Sequence, residues 1–110
     1  MTKNQSIIAE FSIIPIGQTG TSISRYVAAS VEAFGNVKGL DFEVTSMGTI
    51  LAADDLCVIF DAVRKAHEAL VAMGAKRVSS TLRIDDRRDK TRAMNDKVKA
   101  VKNLMEKPGC

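Results

Sequence analysis

The chain has 110 residues, 45% hydrophobic and 26% charged, which is the composition of one ordinary globular domain. Sixteen Lys and Arg against thirteen Asp and Glu leave a formal charge of +3, too small an excess to mark a nucleic-acid surface. No apolar run approaches the ~20 residues of a membrane span, and Met1 to Ser6 lacks the regions of a secretory signal. The expectation is therefore a cytoplasmic protein with a single domain over residues 1–107 and a disordered tail at 108–110.

Ile7 to Ile16 is rich in β-branched residues and stops at Pro15 and Gly17, as a strand does where its hydrogen-bond ladder cannot continue. Ile7, Ala9, Phe11 and Ile13 share one parity and are wholly apolar, whereas Ile8, Glu10, Ser12 and Ile14 share the other. Gly17 to Gly20 is a short loop, after which Thr21 or Ser22 is placed to cap a helix running to about Asn36. Ile23, Val27, Val31 and Phe34 form its predicted apolar stripe. The loop has no phosphate-binding Gly-x-x-x-x-Gly-Lys-Ser/Thr pattern, so ordinary capping is the better reading.

Glu43 to Ala53 reads as a β-hairpin. Phe42 and Val44 alternate with Glu43 and Thr45, Ser46, Met47 and Gly48 form the turn, and Ile50, Leu51 and the alanines lead out. Asp54 and Asp55 then cap a helix from Leu56 to Met73, with a stripe of Leu56, Ile59, Phe60, Val63, Leu70 and Met73, ended by Gly74. His67 falls within this pattern and is read as a partly buried histidine donating to a neighbouring carbonyl. Lys76 to Asp86 returns to period two as a half-buried strand. The run from Asp85 to Lys90 alternates in sign and reads as a solvated turn. A last helix, Thr91 to about Glu106, presents Met94, Val98, Val101 and Met105. Cys57 lies in an apolar helical pattern and Cys110 is the last residue, so neither a disulfide nor a structural metal is expected.

Strand, helix, strand, strand, helix, strand is the βαββαβ order of an α+β, ferredoxin-like antiparallel sheet, here with an additional C-terminal helix. Right-handed crossovers put both long helices on one face. The other face is left open, with Glu10, Ser12, Glu43, Thr45, Thr49, Thr81, Arg83 and Asp85 expected on it among Ile8, Ile14 and Leu51. Base-stacking aromatics are missing from that set, which argues against RNA, and so are paired cysteines for metal transfer. Sheet-to-sheet packing in an oligomer, a polar small-ligand site, or both together remain.

Five stretches, Ile13-Ile14-Pro15-Ile16-Gly17, Ser24-Arg25-Tyr26-Val27, Ser46-Met47-Gly48-Thr49, Ala66-His67-Glu68-Ala69 and Arg83-Ile84-Asp85-Asp86-Arg87, carry a family resemblance in their order and spacing. Over about Ile7 to Val101 the chain resembles the thiamine-binding protein family of small ferredoxin-like proteins. The resemblance implies a homotetramer built as a dimer of dimers and a non-catalytic site for thiamine or its hydroxymethylpyrimidine part. From the residues themselves, no nucleic-acid or membrane partner and no further cofactor are expected.

An aminopyrimidine offers ring nitrogens and an exocyclic amine that short hydroxyls and a carboxylate can read. Ser12, Thr45, Thr49 and Thr81 could supply hydroxyls, Glu10 or Glu43 could accept from the amine or offset the thiazolium charge, and Met47 beside Gly48 could wall the ring. Two alternatives stand beside this reading. One is a regulatory or structural oligomer without the ligand. The other is an enzyme using Glu10, His67, Arg83 or Asp85 as acid and base, for which no nucleophile, metal set or positioned carboxylate pair can be recognised.

Overall fold

The computed structural model describes residues 5–17 and 23–88. In chain order the elements are β1 (Ile7–Pro15), α1 (Ser24–Phe34), β2 (Asp41–Thr45), β3 (Gly48–Ala53), α2 (Leu56–Ala72) and β4 (Val78–Asp86). The sheet order is β2-β3-β1-β4 and every neighbouring pair is antiparallel. This is the expected ferredoxin-like α+β fold. Its additional C-terminal helix, Thr91 to Glu106, lies outside the described residues, as do the 108–110 tail and the end of the Asp85 to Lys90 run. No described helix is long and apolar enough to cross a membrane.

Strict alternation in β1 decides the layering. Ile7, Ala9, Phe11 and Ile13 are buried under the helices, while Ile8, Glu10, Ser12 and Ile14 are exposed on the opposite face. β3 adds Leu51 and Ala53 to the core, and α2 adds Ile59, Ala62, Ala66 and Leu70, all fully buried. Each large apolar side chain removed from water contributes about 1.5–3 kcal/mol, and the two alanines let the helix approach closely. Central β1 pairs with β4 along its whole length, from Ile7 opposite Asp86 to Pro15 opposite Val78. At the other edge β2 is exposed throughout, and its Phe42 ring meets Phe34 of α1 edge-on at 5.4 Å.

Several local expectations are corrected. The hairpin turn has two residues, Ser46 and Met47, with Gly48 already in β3 opposite Thr45. A turn of three residues would keep Thr49 and Leu51 on the open face with Thr45. With two residues every side chain of β3 changes face. Thr49 now lies opposite Val44 and Phe11 on the helix side, 7% exposed, and Leu51 is in the core.

In α1 the buried positions are Tyr26, Ser30 and Phe34. Ile23 and Val27 of the expected stripe sit to one side, half-buried or exposed. The N-cap position of α1 is Ile23, which has no side-chain oxygen, and Thr21 and Ser22 are outside the described residues. In α2, Phe60 and Met73 of the expected stripe are exposed because Ala62 and Ala66 occupy the inner face instead.

The second cap is as read. Asp55 Oδ1 accepts from the Cys57 amide at 2.8 Å. His67 Nε2 pairs with Ser80 Oγ of β4 at 2.7 Å, a hydroxyl where a carbonyl was expected. Cys57 is disulfide-bonded, against the expectation of none. It occupies the rim of the first turn of α2, half-buried, and not the inner face that the apolar pattern suggested.

Gly48 has φ +154°, and a Cβ there would lie 2.9 Å from the carbonyl oxygen of Phe11. Both facts require glycine at the point where β3 passes β1. Gly48→Ala is expected to lower unfolding free energy by about 1–3 kcal/mol in urea titration. Unchanged stability would remove the claim that this close approach constrains the hairpin.

Candidate functional site

A cavity of about 310 Å³ opens between α1 and the hairpin end of the sheet. Its floor is Phe11 and Ile13 of β1 with Thr49 of β3, the first and last being cross-strand partners. Its roof is Ile23, Val27, Ser30 and Phe34 of α1. The hairpin supplies the rim through Thr45, Ser46, Met47 and Gly48. The cavity exists because short side chains, Ser30 and Thr49, stand at buried positions where larger apolar residues would close the layer.

Ser12 and Ile14 also reach the cavity, although their parity is that of the open face. Gly48 explains this. It has no side chain, and the position its Cβ would take is 3.7 Å from the Ser12 Cβ, so the sheet is thin at this point. Met47, 82% exposed, stands at the mouth with a flexible thioether side chain.

Among the described residues of the lining every polar side chain is a hydroxyl, and no described Asp, Glu, His, Lys or Arg takes part. Two of the five hydroxyls are already committed. Ser30 Oγ donates to the Tyr26 carbonyl at 2.9 Å, and Thr45 Oγ1 donates to the Gly48 carbonyl at 2.7 Å while accepting from the Met47 amide. Ser12, Ser46 and Thr49 make no side-chain hydrogen bond among the described residues. They are the groups available to a guest. Thr49 is the innermost of the three, since Ser12 and Ser46 are exposed.

Of the residues singled out in the sequence, Ser12, Thr45, Met47, Gly48 and Thr49 are brought together here. Glu10, Glu43 and Thr81 are not. They lie on the open face of the sheet, Glu10 opposite Arg83, Glu43 opposite Ile50 and Thr81 opposite Ser12. Glu10 and Arg83 border a separate shallow depression with Ile8, Ile50 and Asp85. His67 lines neither of them; it is held in the helix layer by Ser80, the cross-strand partner of Ile13. Among the described residues no group of three or more His, Cys, Asp or Glu is arranged to hold a metal ion. Sequence reasoning missed the whole α1 wall. The signal was a serine four residues after Tyr26, a hydroxyl on the inner side of a helix.

The family model for thiamine-binding protein matches residues 9–102. A UPF0045 protein of Methanothermobacter thermautotrophicus is 49% identical over 96 residues, which span 87% of this chain and 96% of that one. The crystal structure of the hypothetical protein MJ1052 of Methanocaldococcus jannaschii superposes with a TM-score of 0.67 at 41% identity, over 89% of this chain and 97% of that one. A Thermotoga maritima structure provisionally assigned to thiamine biosynthesis or salvage has a TM-score of 0.60 at 19% identity, over 86% and 97% of the two chains, and shares the fold. With 94 of its residues inside one family model and a relative 49% identical over 87% of its length, the chain belongs to the thiamine-binding protein family.

Proposed function

We propose that the protein binds thiamine, or its hydroxymethylpyrimidine part, in the cavity between α1 and the hairpin and releases it unchanged, as a self-associating cytoplasmic protein. The observation that carries this reading is the chemistry of the described lining: apolar walls with three unengaged hydroxyls and no charged side chain among the described residues. About 310 Å³ is at the lower end of the range for small-molecule sites, of order 300–1,000 Å³, and suits one substituted heteroaromatic ring. An aminopyrimidine is such a ring. Its nitrogens accept from hydroxyls and its amine donates to them, so Thr49, Ser12 and Ser46 are the natural partners. Phe11, Phe34 and Val27 offer apolar surface to the ring, and Met47 can fold over it.

Because no carboxylate of the described residues faces the cavity, a thiazolium cation is better accommodated at the mouth, in contact with water, than inside. Glu10 and Glu43 belong to the other side of the sheet and take no part in this arrangement. Acid–base chemistry needs a titratable group within reach of the bound molecule, and the described residues of the lining contribute none. That supports binding over catalysis.

Thr49→Val keeps the β-branched shape at a buried strand position and removes the innermost free hydroxyl. Calorimetry with thiamine and with hydroxymethylpyrimidine is expected to register a loss of about ten- to hundredfold in affinity, equivalent to about 1–3 kcal/mol for one unmade hydrogen bond. Mass analysis of the recovered ligand should find it unaltered. His67→Gln should lower thermal stability and leave affinity in place. Parent affinity in Thr49→Val together with lost affinity in His67→Gln would move the site away from the cavity, and turnover would replace binding by catalysis.

Self-association is supported by apolar side chains left in water. Ile8 and Ile14 are 48% and 44% exposed on the open face, and edge strand β2 exposes Val44 at 50%. Sedimentation equilibrium at micromolar concentration is expected to give about four times the 11.9 kDa chain mass, a dimer of dimers. A monomer mass would remove the tetramer from the proposal and leave the cavity intact.

A further inference from the structure

We propose that the ligand site has a second part, an open groove between α1 and β2 that receives the cationic half of the guest beside the Glu32 carboxylate. This rests on the cavity reading above and extends it from the neutral ring to the charged one. The groove has a volume of about 610 Å³ and lies along α1 at the hairpin end of edge strand β2. Ile23, Val27 and Ser46 line both the groove and the cavity. The two spaces therefore meet at a shared wall, and a guest with one ring in the cavity has an adjoining place for a second.

The helix repeat builds the apolar part. Val27 and Val31 follow one another by a turn on the same side of α1, and Val44 of β2 lines the groove with them. Val27 and Val31 are half-buried and Ile23 is 45% exposed, which leaves apolar surface for a planar guest to cover.

Charge decides which ring that is. Glu32 is the only charged side chain among the described residues of the groove. It stands in the last turn of α1, where the helix dipole concentrates partial negative charge, and no basic residue of that turn offsets it. Among the described residues it makes no hydrogen bond or ion pair. An unpaired carboxylate at the negative end of a helix attracts a cation and offers no such attraction to a neutral ring of the same shape. Val27 and Glu32 are separated by about 7.5 Å along the axis at ~1.5 Å per residue, a span that two heteroaromatic rings joined through one carbon can bridge. Glu10 and Glu43, the carboxylates expected from the sequence to offset the thiazolium charge, are on the other face of the sheet, whereas Glu32 is on the cavity's side.

The test is calorimetry on the full chain with three ligands: thiamine, hydroxymethylpyrimidine, and deazathiamine, in which a neutral thiophene replaces the thiazolium. Each is titrated into the parent, Glu32→Gln and Glu32→Lys, substitutions at an exposed helix position that the fold tolerates. The ratio of thiamine affinity to deazathiamine affinity is expected to fall by about two- to fivefold in Glu32→Gln, the range of one exposed ion pair, and further in Glu32→Lys. Both two-ring ligands should bind the parent more tightly than hydroxymethylpyrimidine, since the groove adds apolar contact to either. An affinity ratio that is the same in all three proteins would overturn the role of Glu32. Two-ring ligands no tighter than hydroxymethylpyrimidine in the parent would overturn the groove and leave the cavity as the site. Absence of binding by all three ligands would instead strike the cavity reading, and this inference with it.

Discussion

The length of one turn governs the chemistry available to this molecule. Ser46 and Met47 alone connect β2 to β3, so Thr45 is opposite Gly48 and the pairing of every later residue is set. Thr45 secures that turn, donating to the Gly48 carbonyl while receiving the Met47 amide. Gly48 then passes the Phe11 carbonyl at a distance that no other residue permits without movement. Thr49 is the first side chain after this passage, and it points under α1. A single added residue in the turn would turn Thr49 to the other face and replace it on the cavity floor by Ile50, exchanging a hydroxyl for a larger apolar group.

Packing and binding make opposite demands on α1. At Phe34 the helix is anchored by a fully buried ring that also meets Phe42 edge-on. One turn earlier the inner position is Ser30, whose hydroxyl is returned to the Tyr26 carbonyl of its own helix and fills little volume. Val27 and Ile23 consequently have no close layer beneath them. The space they leave lowers stability relative to a filled core, because lining atoms without neighbours lose dispersion contacts. That deficit is recovered in part when an apolar ring enters, which makes the under-packed end of α1 the end suited to a ligand.

What could be read from the sequence follows the strength of the local pattern. β1 was legible in parity and almost to the residue, because one face is apolar without exception. β4 and the two helices were located by the recurrence of apolar residues at periods of two and of three to four, and Asp55 was recognisable as a cap. The face of β3 was not legible. Ser46-Met47-Gly48 is compatible with a turn of two or three residues, and a short segment containing Thr, Ile, Leu and Ala offers no alternation to choose between them. The α1 stripe was displaced for a related reason: Tyr26 and Ser30 are buried by tertiary packing, whereas Val27 and Ile23, more hydrophobic, border the cavity. Thus five of the eight candidate residues converge because the hairpin was located correctly. Glu10, Glu43 and Thr81 stay apart because the expected site was the open face and the cavity formed under the helix.

The open face and the cavity are nevertheless joined through Ser12 and Ile14. Both belong by parity to the open face, and both line the cavity where Gly48 thins the sheet. If the proposed assembly rests a second molecule on that face, it would touch side chains that a guest in the cavity would also touch. If it packs Ile14 into one orientation, it fixes part of the site in advance and the guest pays less conformational entropy on entry. If it draws Ile14 away, it widens the mouth and weakens the contact. In either case the effect is reciprocal by linkage, so a change in affinity with assembly implies an equal change in assembly with occupancy. Of the two shared side chains, Ile14 has no polar atom and would respond to packing alone.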